Sequence, residues 1–229
     1  MKLVLLPGLD GTGCLYEPLT RILPPEFSHL VLPYPKDKPL SYAELVELVH
    51  RQLQPEKEYV LVAESFSGPV AIELAAKRPA NLKALVLCAT FVSNPSTVPQ
   101  SVRAVLRGPF FRLEPPQFFI ERYFLGPKPS RPLVESFRYA RHSVPAEVLA
   151  FRMRSVLNVD VRRAFAACRV PILYLLGKQD RLVRRSSVDE MLKIQPNMRV
   201  VEIDGPHLLL QREPARCFEA IDRFLEAVL

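Results

Sequence analysis

The stretch Tyr59-Val60-Leu61-Val62-Ala63-Glu64-Ser65-Phe66-Ser67-Gly68 constrains this chain more than any other. Five mostly β-branched or apolar residues lead through the serine turn into Val70-Ala71-Ile72-Glu73-Leu74-Ala75-Ala76-Lys77, a helix-forming run. A strand that meets a helix without a spacer needs a sharp turn, and Ser65 sits at its apex. Large side chains two positions either side of the serine would collide. Ala63 and Ser67 are both small, and Gly68 follows. Ser65 is therefore either an exposed nucleophile or a cap of the helix start.

The rest of the chain alternates in the same manner. Residues 2–6 read as a buried strand, and Pro7-Gly8-Leu9-Asp10-Gly11-Thr12-Gly13 then punctuates. A helix is predicted over 16–23, stopped by Pro24-Pro25, and a strand over 29–32. Ser41, with Glu44 three residues on, opens a helix to about residue 53. Further strands are predicted at 59–62, 82–88, 171–176 and 199–203, with helices near 186–194 and over 214–228. Strand–helix alternation calls for a parallel sheet covered on both faces. The pattern breaks over 94–167, which is rich in proline and aromatic residues. Short helices are expected there near 100–107, 116–124, 131–142, 145–157 and 160–166. Residues 1–93 and 168–229 thus form the core, and residues 94–167 an inserted helical cap.

Charge is concentrated in the insertion. It holds twelve Lys and Arg against five Asp and Glu, the whole of the net +7. That is either a solvated basic surface or a face for an anionic partner. No nucleic-acid motif accompanies it. Cys14, Cys88, Cys168 and Cys217 are scattered without a C-x-x-C pair, which suggests reduced thiols in a cytoplasmic protein and no zinc site. The opening apolar run is too short for a signal sequence, and no run is long enough for a membrane span.

Two later turns supply what a nucleophilic serine requires: a base to take its proton, and an acid to orient and stabilise that base. Gly177-Lys178-Gln179-Asp180-Arg181-Leu182-Val183 follows the fifth strand and offers Asp180. Gly205-Pro206-His207 follows the sixth and offers His207. Asp160, in the insertion, and Asp204, three residues before the histidine, fit the acid's place less well. His29, His50 and His142 read as ordinary surface or packing residues.

Together these residues resemble the α/β-hydrolase family. Ala63-Glu64-Ser65-Phe66-Ser67 resembles its nucleophile elbow, usually G-x-S-x-G, with Ala63 and Ser67 for the outer glycines. The acid turn resembles G-x-x-D-x-x-V, and the order serine, acid, histidine matches. Pro7-Gly8-Leu9-Asp10-Gly11 resembles the H-G-x-G-G type oxyanion loop, with Pro7 for the histidine. The glycines of this loop do not fit a dinucleotide fingerprint, and no P-loop lysine is present.

The resemblance implies an α/β-hydrolase fold with six parallel strands in the order 2-1-3-4-5-6, without the family's first two strands. It implies a triad of Ser65, Asp180 and His207, with the Leu9 and Phe66 N–H groups as oxyanion donors and no cofactor or metal. The activity implied is that of a carboxylesterase. The helical cap and triad also resemble carboxylesterases of the pimeloyl-carrier-protein methyl ester esterase type. Phe110, Phe111, Phe118, Phe119, Tyr123 and Phe124 of the insertion either line an acyl pocket or simply pack the insertion onto the core. Arg138 and Arg141 would then form a basic rim for an acidic acyl carrier protein. Thioester, lactone or carbon–carbon hydrolysis would use the same triad. A ligand-binding protein on this fold is the alternative from another class.

Overall fold

The computed structural model describes residues 1–53, 57–95 and 111–229. Six strands form one parallel sheet in the order β2-β1-β3-β4-β5-β6. They are β1 (Lys2–Leu6), β2 (Ser28–Val31), β3 (Tyr59–Glu64), β4 (Leu82–Cys88), β5 (Ile172–Gly177) and β6 (Arg199–Ile203). Every residue of β3 and β5 is buried, as strands covered on both faces must be.

Alternate residues serve opposite faces. Val4, Leu6, Leu61, Ala63, Leu85, Leu87, Tyr174 and Leu176 pack on one side against α2 (Tyr42–Leu53) and α3 (Gly68–Ala76). Leu3, Leu5, Val60, Val62, Val86, Cys88, Leu173 and Leu175 face the other side. There α1 (Glu17–Thr20) and the C-terminal helix lie against them. The expected capping box at α2 is formed: Ser41 Oγ and N–H both donate to Glu44 Oε2, at 2.7 and 2.8 Å. The helix expected over 16–23 is shorter, a 3₁₀ turn at Cys14–Tyr16 followed by α1. Pro24 bars helical winding in the residue before it.

Between β4 and β5 the described chain forms α4 (Gln117–Ile120), a π-helical turn (Glu121–Leu125), α5 (Arg131–His142), α6 (Ala146–Leu157) and α7 (Arg162–Ala167). The helix expected near 100–107 lies outside the described residues. After β5 come α8 (Arg185–Ile194), β6, α9 (Leu209–Arg212) and α10 (Pro214–Val228). The sequence pattern did not indicate α9. Among the described residues no helix is long and apolar enough to cross a membrane.

Much of the basic charge in the insertion is engaged inside the molecule. Arg112 pairs with Glu147 at 2.7 Å, Arg131 with Glu135 at 2.8 Å and Arg138 with Glu114 at 3.3 Å. Arg141 Nη2 donates to the carbonyls of Phe111, at 2.6 Å, and Leu113. Arg138 and Arg141 are thus tied to neighbouring residues of the insertion, and Arg152 is fully buried. Arg122 and Lys128 remain exposed with no ion pair among the described residues.

The two-sided core sets the stability of the sheet. Leu85 is fully buried between β3 and β5. Leu85→Ala is expected to cost about 2–5 kcal/mol, read as a lower urea midpoint at unchanged slope.

Candidate active site

The carboxyl ends of β1, β3, β5 and β6 bring the candidate residues to one rim of the sheet. β3 ends at Glu64, and Ser65 begins a 3₁₀ turn that passes directly into α3. Ser65 has φ 50°, a left-handed conformation that L-residues rarely adopt. It is the strain expected of a side chain presented at the tip of a strand-to-helix turn. Thr90, just past β4, steadies the turn by donating from Oγ1 to the Ser65 carbonyl at 2.6 Å. The small residue Ser67 does more than avoid a clash. Its buried hydroxyl donates to the Pro7 carbonyl and accepts from the Tyr34 hydroxyl at 2.6 Å, tying the elbow to the loop after β1.

Asp180 lies in the turn after β5. One carboxylate oxygen accepts from the N–H groups of Leu182 and Val183 at 2.8 and 3.0 Å. The other faces His207 Nδ1 at 2.9 Å. The acid turn and the histidine loop touch because residue 177 is glycine. A Cβ there would sit 2.6 Å from the Pro206 carbonyl oxygen. A carboxylate can only accept, so Nδ1–H of His207 donates to Asp180 and Nε2 is left with its lone pair. Ser65 Oγ is 3.0 Å from that Nε2 and donates to it. Serine, imidazole and carboxylate, widely separated in sequence, form one hydrogen-bonded line.

The other candidates fall elsewhere. Asp160 is exposed and pairs with Arg162, and Asp204 accepts from Gln179 Nε2 at 2.9 Å. His29 is exposed on β2, His50 lies on α2, and His142 is exposed beside Glu114. Among the described residues no group of three or more His, Cys, Asp or Glu could hold a metal ion.

Leu9 is half-buried in the loop after β1, and its N–H has no hydrogen-bond partner among the described residues. The Phe66 N–H lies in the first turn of the elbow helix, where backbone donors lack intrahelical acceptors. Of the aromatics expected around an acyl pocket, Phe124 stands beside the site, edge-on to the His207 ring with centroids 6.2 Å apart. Phe119 stacks obliquely on Tyr123, while Phe118 is 67% exposed. Phe111 packs on Val144, Val148 and Leu149 instead. Phe110 lies outside the described residues. The Phe124 carbonyl accepts from the Leu208 N–H at 2.9 Å, so the π-helical turn is joined to the histidine loop.

Glu64 directly precedes the serine in the chain. It is 1% exposed, and its Oε2 accepts from Gln211 Nε2 at 3.1 Å. Its Oε1 has no hydrogen-bond partner among the described residues. Burial pushes its carboxyl up to about 7, against the opposing pull of His207 and Gln211. Burial disfavours the His207 imidazolium, but the charge and hydrogen bond of Asp180, aided by Glu64, overcome this. The imidazole therefore lies above its ordinary value.

A parallel sheet in this order, with a strained serine, a histidine and an acid at its carboxyl ends, defines the hydrolase class of α/β proteins. The chain belongs to the alpha/beta hydrolase family, which residues 3–220 match. Its fold is similar to that of a thermophilic esterase from Thermogutta terrifontis, with TM-score 0.81 at 23% identity over 100% of this chain and 90% of that one. It is also similar to the enol-lactonase from Burkholderia xenovorans LB400, with TM-score 0.79 at 18% identity over 98% and 91%. The bromoperoxidase from Bacillus anthracis matches with TM-score 0.82 at 18% identity over 98% and 91%. No curated protein sequence matches the chain.

Glu64 connects the site to pH. Its folded value lies above that of an exposed glutamate, about 4.3. The neutral acid is therefore favoured in the fold, and its contribution to stability is lost as pH rises from about 4 through about 7. His207, also raised, loses stability in the same sense as pH passes through its own folded value. Glu64→Gln is therefore expected to flatten part of the fall in melting temperature between about pH 4 and 7. It should also lower the pH midpoint at which His207 titrates by NMR. An unchanged midpoint would mean that the two groups do not interact.

Proposed function

We propose that this protein is a serine carboxylesterase acting through an acyl-enzyme. The observation that carries the reading is the line Ser65 Oγ, His207 Nε2, His207 Nδ1, Asp180 Oδ2, with links of 3.0 and 2.9 Å. Neutral His207 accepts the Ser65 proton as Oγ bonds to the acyl carbon. Asp180 holds the tautomer and stabilises the imidazolium. The oxygen that becomes negative is met by the Leu9 and Phe66 N–H groups. The carbon–oxygen bond to the alcohol then breaks, and the alcohol leaves with the proton from His207. Water, deprotonated by His207, attacks the ester to Ser65 and releases the acid. Residues 94–167 act as the cap over this site, with Phe124 against the reacting centre.

This chemistry is expected to show in labelling and turnover together. A fluorophosphonate should modify Ser65, and a panel of nitrophenyl esters of varied acyl length should be hydrolysed by the wild type. Ser65→Ala should lose the label and reduce kcat by at least about 10⁴-fold. A folded wild type that neither labels nor turns over would favour a ligand-binding protein on this scaffold.

The substrate reading is an acyl ester borne by an acidic carrier protein. It is supported by exposed Arg122 and Lys128, which flank the segment that carries Phe124. Arg122→Glu with Lys128→Glu is expected to raise KM severalfold for a carrier-linked ester and leave KM for a small nitrophenyl ester unchanged. Equal effects on the two substrates would remove the carrier.

A further inference from the structure

Arg152 lies on α6 among apolar residues and is the largest fully buried side chain among the described residues. Its Nη1 donates to the carbonyls of Leu9 and Asp10 at 2.9 and 2.7 Å, and its Nη2 to that of Pro35 at 3.0 Å. No carboxylate forms an ion pair with it among the described residues. Asp10 favours its charge only through space. Withdrawing a guanidinium from water costs several kcal/mol, so a cap anchored only for stability would do as well with an apolar contact.

The loop that Arg152 grips is the one after β1. Its carbonyls are held one after another. Pro7 O accepts from Ser67 Oγ, Gly8 O from the Gly11 N–H at 3.0 Å, and Leu9 O and Asp10 O from Arg152. A peptide is planar, and its N–H points opposite its C=O in the trans form. The Leu9 N–H shares its peptide with the Gly8 carbonyl, and the Gly11 N–H that holds that carbonyl shares its own peptide with the Asp10 carbonyl gripped by Arg152, so the grip fixes where the Leu9 N–H points. Gly11 makes room for the grip. It has φ 68°, and a Cβ there would lie 2.5 Å from Arg152 Nη1. A guanidinium offers a planar fork of donors, whereas a lysine offers one point and could not span three carbonyls.

We propose that Arg152 is the positioning residue of the oxyanion hole, so that a side chain from the insertion aims the Leu9 N–H at the reacting carbonyl. This rests on the serine-hydrolase reading above. In that reading the insertion completes the reacting centre as well as covering it. The guanidinium touches no reacting atom. It acts by relay: its charge on the Asp10 carbonyl strengthens the Gly11 N–H as a donor to the Gly8 carbonyl, and that bond strengthens the Leu9 N–H of the same peptide.

The test compares Arg152→Lys and Arg152→Gln with the wild type on a nitrophenyl ester, together with two inhibitors. A trifluoromethyl ketone forms an oxyanion with the serine; the corresponding methyl ketone binds largely without one. The expected result is a fall in kcat of about 10- to 100-fold, below the 10²- to 10³-fold typical of removing an oxyanion donor outright. KM should stay within about twofold, and trifluoromethyl ketone affinity should weaken by the same factor as kcat. Methyl ketone affinity and fluorophosphonate labelling of wild-type Ser65 should stand. A merely structural arginine would instead lower the melting temperature and raise KM, with both ketones weakened alike. That result, or unchanged kcat, overturns the proposal while leaving the esterase reading intact. Absence of label on wild-type Ser65 overturns both. If both variants fail to fold, Gly11→Ala, which crowds the guanidinium from the opposite side, is judged by the same ratio.

Discussion

The two hydrogen bonds of the His207 ring are what the rest of the rim depends on. Asp180 can only accept, so it fixes the Nδ1 proton, and that leaves the Nε2 lone pair for Ser65. Neither contact is local in sequence. Each needs strands β3, β5 and β6 to end at the same level, which the parallel register provides. Gly177 then lets the acid turn and the histidine loop approach within backbone contact. The sheet is in this sense a device for delivering three loops to one place, and its two-sided apolar core supplies the rigidity.

Around that line the protein buries polar groups that an apolar core would not need. Burial raises the Glu64 carboxyl to about 7 beside the imidazole. Ser67 and Tyr34 form a buried hydroxyl chain onto the Pro7 carbonyl. Arg152 reaches from the insertion to the same loop. Buried polar groups are costly unless bonded, and two of these, Ser67 and Arg152, are bonded to backbone carbonyls of the loop after β1. The loop is thus held from the elbow on one side and from the insertion on the other. The π-helical turn adds a third junction, through the Leu208 N–H on the Phe124 carbonyl. Such turns are frequent where a helix must present a group at a site.

The sheet was legible in the sequence because strands buried on both faces read as unbroken apolar runs, and because the turn at Ser65 admits few alternatives. Strand order followed from the family resemblance rather than from the pattern itself. Ser65, Asp180 and His207 were legible as candidates because each lies at or just past a strand's carboxyl end in a turn that resembles a family motif. Arg152 was missed because charge alone was counted in the insertion. Yet Val148, Leu149, Arg152 and Val156 share one helical face, which marked it as inward-pointing. The role of the Ser67 hydroxyl was also hidden, since its partner lies sixty residues earlier. The short helix α9 and the π-helical turn left no trace in hydrophobic period, being only four and five residues long. The internal pairing of Arg138 and the carbonyl contacts of Arg141 depend on tertiary neighbours that composition does not reveal.

In the proposed reaction Ser65 forms a covalent bond to the acyl group, with His207 taking its proton. Rapid acid quench of the protein during hydrolysis of a slowly deacylating ester, followed by peptide mass spectrometry, would capture that bond. An acyl adduct is expected on Ser65 and is expected to be absent when His207 is replaced by glutamine. Turnover without an adduct at Ser65, or an adduct on another residue, would contradict it.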